Sequence, residues 1–279
     1  MNAARGATLP CLALLLLGVA AACGETSPRP PPDVVVSIPP LAWFVDRLGG
    51  GALRVETLIP AGANPHSFEP TLAQVEAAAR AGLWVRVGHP GFPFERTAFE
   101  AVAPESVVDA ADEVARRAED PHVWLSPRLA RGIAARLARA LEARFPERAA
   151  AIAERAPALD AELAALDAEI AARLAPFRGR AFFVYHPDWT SFAADYGLRQ
   201  VTLERGHKEP DVRALRDLVD EARREGARGI FVQPQFSRES AELVAAEVGA
   251  RVIAIDPLAY ELPATLRTMS ELLTEVLAQ

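Results

Sequence analysis

Short β-branched runs alternate with amphipathic helical stretches along most of this chain, and that alternation most restricts its fold. Asp33 to Ile38, Val55 to Ile59, Leu83 to Val87 and the weaker Ser106 to Val108 read as strands. Between and after them, Leu41 to Leu48 reads as a helix stopped by Gly49, Gly50 and Gly51, and Thr71 caps a helix reaching Ala81. Pro127 opens a longer helix to about Phe145. A second set follows: strands at Ala181 to Tyr185, Gln200 to Leu203, Gly229 to Val232 and Val252 to Ile255, with helices at Asp211 to Glu225, Glu239 to Val248 and Ala264 to Leu277. Strands that alternate with helices predict parallel sheets covered by helices. The two sets are separated by a helical, glycine-poor stretch, Pro146 to Leu174. In it Leu159, Leu163, Leu166, Ile170 and Leu174 make one apolar face, and Pro157 is expected to kink or split it. The expected class is therefore α/β: an N-terminal lobe over residues 33–145, a linking helix over 146–177 and a C-terminal lobe over 178–279. No strong sequence repeat relates the lobes.

With 279 residues, 51% of them hydrophobic, the chain can build one large domain or two smaller lobes with real cores. Mean hydropathy is only +0.09, so the body should be soluble. The net charge of -7 is spread over intermixed acids and bases, without a basic stripe, which argues against nucleic acid as a partner. Arg5 precedes an apolar run, Leu12 to Ala22, too short to cross a bilayer and suited to a signal peptide over residues 1–22. Gly18 to Cys23 resembles a bacterial lipobox, with Ala20 where leucine is usual, so Cys23 is the expected lipidation site; ordinary cleavage after an Ala-x-Ala is the alternative. Residues 23–32 then form a proline-rich spacer. Cys11 leaves with the leader, so no internal disulfide or cysteine metal site is expected.

Among five histidines, three sit at strand or helix ends. His66 follows a strand, His122 precedes a helix and His186 closes a strand. Asp256 is a further strand-end residue of ligand type. In open parallel sheets, ligands bind beyond the carboxyl ends of strands. Three imidazoles and one carboxylate suit Zn2+, which accepts nitrogen and oxygen donors in four-coordinate geometry. Taken singly, each histidine reads more simply as a loop residue, and Asp256 before Pro257 as a turn or cap. No pair has zinc-finger spacing, and no His-Glu-x-x-His occurs.

The surrounding words add what spacing lacks. Pro65-His66-Ser67-Phe68-Glu69-Pro70, Asp120-Pro121-His122-Val123-Trp124-Leu125-Ser126-Pro127, Gly206-His207-Lys208-Glu209-Pro210, Val232-Gln233-Pro234-Gln235-Phe236-Ser237 and Ile255-Asp256-Pro257-Leu258 together resemble the metal-binding solute-binding proteins of zinc and manganese ABC transporters. The resemblance runs from about Val34 to the C-terminus. It implies two lobes joined by one long helix, with a metal in the cleft. It implies His66, His122, His186 and Asp256 as ligands, and zinc over manganese because histidine stands at position 186, where manganese members usually carry glutamate. It further implies an ABC permease as partner, attachment to the membrane through a lipid anchor, a location in the periplasm or on the outer face of the cell membrane, a monomer, and no enzymatic activity. The sequence departs from the family in three respects. Glu100 to Glu119 holds no histidine, so the accessory metal-collecting loop of many zinc members is absent; Pro157 interrupts the linking helix; and the words around His186 are loose. His89 and His207 are expected to be loop residues. A manganese or iron carrier of the same type, a zinc hydrolase with Glu69 or Glu209 as base, and a surface adhesin are the competing readings.

Overall fold

The computed structural model describes residues 30–111, 120–204 and 212–278. The leader, Cys23, most of the spacer and the His207 segment lie outside the described residues.

Strands β1 (Val34–Val36), β2 (Val55–Thr57), β3 (Leu83–Arg86) and β4 (Val107–Asp109) pair in parallel in the order β2-β1-β3-β4. Strands β5 (Ala181–Val184), β6 (Arg199–Thr202), β7 (Gly229–Val232) and β8 (Arg251–Ala254) repeat that order as β6-β5-β7-β8, again all parallel. Both sheets thus place their first strand centrally, and in each case that strand is wholly apolar and buried. Helices α1 (Pro39–Gly49), α2 (Leu72–Arg80), α3 (Pro93–Phe99) and α4 (Pro127–Arg144) belong to the first set of elements. Helices α6 (Thr190–Tyr196), α7 (Val212–Glu225), α8 (Glu239–Val248) and α9 (Leu262–Leu277) belong to the second. The α/β expectation holds, and the Thr71 cap takes the form of a capping box with Gln74. The short helices α3 and α6 were not expected; seven residues carry too little periodicity to be read from sequence.

Between the lobes, helix α5 (Ala149–Leu174) is flanked by single 3-10 turns at Pro146–Arg148 and Ala175–Phe177. Ile152, Leu159, Leu163, Leu166, Ile170 and Leu174 are its buried residues. Each such side chain contributes roughly 1.5–3 kcal/mol on burial. The helix packs on α1, α4 and α9. Pro157 does not split it. The proline ring removes the hydrogen bond to the carbonyl of Ala153, but both residues are exposed, so that oxygen is open to solvent.

The core is asymmetric. Along β5, Phe182 and Val184 join an apolar cluster that runs through α5 and α9 into the first sheet. Ala181, Phe183 and Tyr185 point the other way, into a smaller cluster with Leu218 and Ala222 of α7 and Val244 of α8. One continuous core therefore unites the first lobe with one face of the second sheet.

Candidate metal centre

The carboxyl ends of both sheets open toward each other, and the loops after them bring three histidines together. His66 lies in the loop between β2 and α2, behind Asn64, whose side-chain oxygen accepts from the His66 backbone N–H at 2.9 Å. His122 caps a single 3-10 turn, Val123–Leu125, ahead of α4. His186 stands two residues beyond the end of β5. Donor atoms of all three lie within 4.8 Å of one another. His66 Nε2 is 3.3 Å from His122 Nε2 and 3.0 Å from His186 Nε2. Two Zn–N bonds of about 2.0–2.1 Å at the tetrahedral angle place their nitrogens about 3.3–3.4 Å apart, so these separations fit one shared ion.

Each ring is turned into that position by a bond on its other nitrogen. His66 Nδ1 is 2.9 Å from the carbonyl oxygen of Gly91, His122 Nδ1 is 2.9 Å from Asp120 Oδ1, and His186 Nδ1 is 2.5 Å from Glu204 Oε2. A carbonyl or carboxylate only accepts, so each Nδ1 carries the proton and each Nε2 presents a lone pair to the common centre. Three lone pairs face to face repel one another until a cation sits between them. Aromatic rings complete the mounting. Phe92 stacks on His66 at 5.2 Å, Phe236 on His186 at 4.7 Å, and Trp124 meets His122 edge-on at 5.4 Å.

Asp120 ties the centre across the lobes. Its Oδ1 accepts from the His122 backbone N–H and ring, and its Oδ2 from the Ser191 backbone N–H at 2.8 Å and hydroxyl at 2.7 Å. Burial raises the Asp120 carboxyl, but these donors outweigh it and hold it below its ordinary value. Burial also lowers the His122 imidazole, and Asp120 only partly offsets this, so His122 is neutral and ready to ligate at neutral pH. Asp188, buried beside the triad, accepts from Gln233 Nε2 at 2.8 Å through both oxygens. Burial pushes its carboxyl well up, Gln233 opposes this, and the negative charges of Asp120 and Asp256 push it further.

A cavity of about 10 Å³ lies at the triad, bordered also by Pro65, Asp188, Gln235 and Phe236. That is room for about one ion or water. A wider recess of about 600 Å³, lined by His66, Glu204, Gln235 and Phe236 among others, adjoins it and leads outward. Asp256 is not one of the grouped donors. Its Oδ1 accepts from Gln235 Nε2 at 2.8 Å and from the Leu258 N–H at 3.0 Å. His89 stays outside the triad, its Nδ1 accepting from the Gly91 N–H at 3.0 Å. Glu69 is exposed, and Glu209 and His207 lie outside the described residues. The residues that the sequence did not single out are Gly91, Glu204, Ser191 and Gln233. Of the supporting groups Asp120, two positions before its histidine, and Gln233 lay inside motifs, neither with a role assigned.

A family model described as "Zinc-uptake complex component A periplasmic" matches residues 34–278. The high-affinity zinc uptake system protein ZnuA of Haemophilus influenzae is 22% identical over 286 residues, 81% of this chain and 85% of that protein. A crystal structure of ZnuA superposes with a TM-score of 0.83 at 33% identity, covering 88% of this chain and 99% of that one. A ZnuA deletion mutant crystallised with zinc bound gives 0.82 at 32% identity, over 88% and 98%. Periplasmic zinc-binding TroA of Treponema pallidum, at 18% identity and a TM-score of 0.81, shares the two-lobed fold. With two four-stranded parallel sheets, a long helix between them and a family match across nearly all of both lobes, this chain belongs to the ZnuA family of periplasmic zinc-uptake components.

Proposed function

We propose that this chain captures Zn2+ between its lobes outside the cytoplasmic membrane and delivers it to the permease of an ABC importer. The convergence of three Nε2 atoms at 3.0 and 3.3 Å carries the reading, because those separations lie close to the edge of a zinc tetrahedron. His66, His122 and His186 are the three nitrogen ligands. Asp256 is the fourth donor, through the carboxylate oxygen that Gln235 and Leu258 leave unengaged. Neutral imidazoles and one carboxylate favour zinc over manganese, which prefers more oxygen donors.

Binding and release without chemistry fits the site better than hydrolysis. The space at the triad holds about one ion, and Glu69 is exposed rather than buried with the triad. No described helix is long and apolar enough to cross a membrane. Attachment by lipid at Cys23, which rests on the lipobox-like Gly18 to Cys23, belongs to the same proposal, and Cys23→Ala is expected to free the protein from membranes. The deciding experiment is metal analysis of protein purified without added metal, followed by chelator-competition titration. About one zinc per chain is expected, lost on His66→Ala or His122→Ala while the fold persists. Protein that holds no zinc, or variants that hold it as well as the parent, would sink the proposal.

A further inference from the structure

Gln235 touches both the triad cavity and Asp256, and its two amide ends are in different situations. Its Nε2 donates to Asp256 Oδ1 at 2.8 Å. A carboxylate can only accept, so the nitrogen must face Asp256 and the oxygen is the end left over. That oxygen, Oε1, is buried without a donor, on a residue that lines the cavity holding the three imidazoles. A buried acceptor lacking a donor is uncommon and calls for an explanation.

We propose that Gln235 is a positioning residue that couples Asp256 to the captured cation. Its Nε2 pins one oxygen of Asp256, so that the other is presented to the ion at fixed orientation. Its Oε1 accepts a hydrogen bond from water that the cation sheds on entry, before Asp256 completes the four ligands. The Gln235 side chain thus plays for the carboxylate the part that Asp120 and Glu204 play for His122 and His186. This rests on the reading that the triad takes a divalent cation.

The test is a double-mutant cycle on the full chain: parent, Gln235→Leu, Asp256→Asn and the pair, each titrated with Zn2+ against a chelator. Gln235→Leu should weaken zinc about tenfold. Asp256→Asn should weaken it more. The pair should bind at least about threefold tighter than the product of the two losses predicts, since each substitution breaks the same link. Strictly multiplicative losses, or an unchanged affinity in Gln235→Leu, would overturn the proposal. If Gln235→Leu lowers the metal-free melting temperature, Gln235→Asn replaces it. That variant keeps the amide but falls one methylene short of Asp256, so it should lose affinity similarly, and full retention counts against coupling. Co2+-loaded Gln235→Leu should also show a shifted visible spectrum, and a spectrum identical to the parent's overturns the proposal. His66→Ala separates the two levels. If it keeps parental affinity, the cation is not at the triad; if it loses affinity while the Gln235 variants do not, only the role of Gln235 fails.

Discussion

The two lobes share one strand order but mount their ligands differently. The first lobe sets its ligands far along the chain from a strand end: His66 is nine positions after Thr57, the end of β2, and His122 thirteen positions after Asp109, the end of β4. The second lobe sets His186 two residues beyond β5. A ligand at a strand end inherits its place from the sheet, whereas a ligand set further along the chain must be fixed by bonds made as the chain packs. Accordingly His122 depends on Asp120 at both its backbone N–H and its ring, and Asp120 is itself held by Ser191 of the other lobe. His186 has Glu204 on its ring and also a backbone clasp, with Gln233 Nε2 donating to its carbonyl at 3.1 Å. The lesson is that the topologically equivalent sheets do unequal work: one fixes a ligand by register, the other by cross-lobe hydrogen bonding.

The largest expected effect is on ligand removal, which tests whether both lobes supply the site at all. His122→Ala and His186→Ala should each weaken zinc beyond the roughly 10- to 100-fold typical of lost outer-shell partners. Chelator competition measures this, and a loss confined to one lobe's histidine would break the picture of a shared site. The next effect sharpens the contrast in mounting. Asp120→Asn should cost about 10- to 100-fold in zinc affinity, and Glu204→Gln less, because only His122 lacks a second support. The reverse order would show that the strand end does not hold His186 by itself.

His186→Glu should narrow the gap between zinc and manganese affinity, mainly by weakening zinc, since it exchanges an imidazole for an oxygen donor at the position the second sheet fixes. Competition titration with both metals reads the gap, and an unchanged gap would remove position 186 as a determinant of metal choice. Acid should weaken binding in every variant that keeps the triad, because protons and the metal compete for the same lone pairs. His122 is held below its ordinary value of 6.5, so it resists protonation until the pH falls under that value. Zinc affinity measured from pH 8 downward should therefore still be falling on the acid side of 6.5, and affinity that rises with acid would contradict neutral imidazole ligands.

The smallest effect concerns the helix between the lobes. Pro157→Ala restores a backbone hydrogen bond at an exposed position and should stabilise the metal-free protein by about 1–3 kcal/mol, less what proline contributes by restricting the unfolded chain. Thermal melting tests this. Zinc affinity should not move, because Leu159 to Leu174 already fix the packed face of the helix.

Much of this was legible before folding. Alternating runs such as Val34-Val35-Val36 and Gly229 to Val232 identify buried parallel strands, because only a sheet covered on both faces tolerates unbroken apolar residues. The motifs around His66 and His122, with the strand end at His186, pointed to the three histidines that the fold groups, although spacing alone left each as a plausible loop residue. Of the two outcomes expected at Pro157, splitting does not occur: the helix runs unbroken from Ala149 to Leu174, with the proline off the apolar face that the sequence outlined.

The sequence by itself therefore determined the layers of the fold and the residue types that could bind metal, since periodicity and local motifs are properties of neighbours along the chain. The tertiary structure decided how those residues are aimed. His186 meets Glu204 at 18 residues' separation, His66 meets the Gly91 carbonyl at 25, Asp120 meets Ser191 at 71 and His66 faces His186 at 120. Such bonds form only after two sheets and a long helix have packed into one continuous core, and no local pattern encodes a partner that packing alone brings within 3 Å.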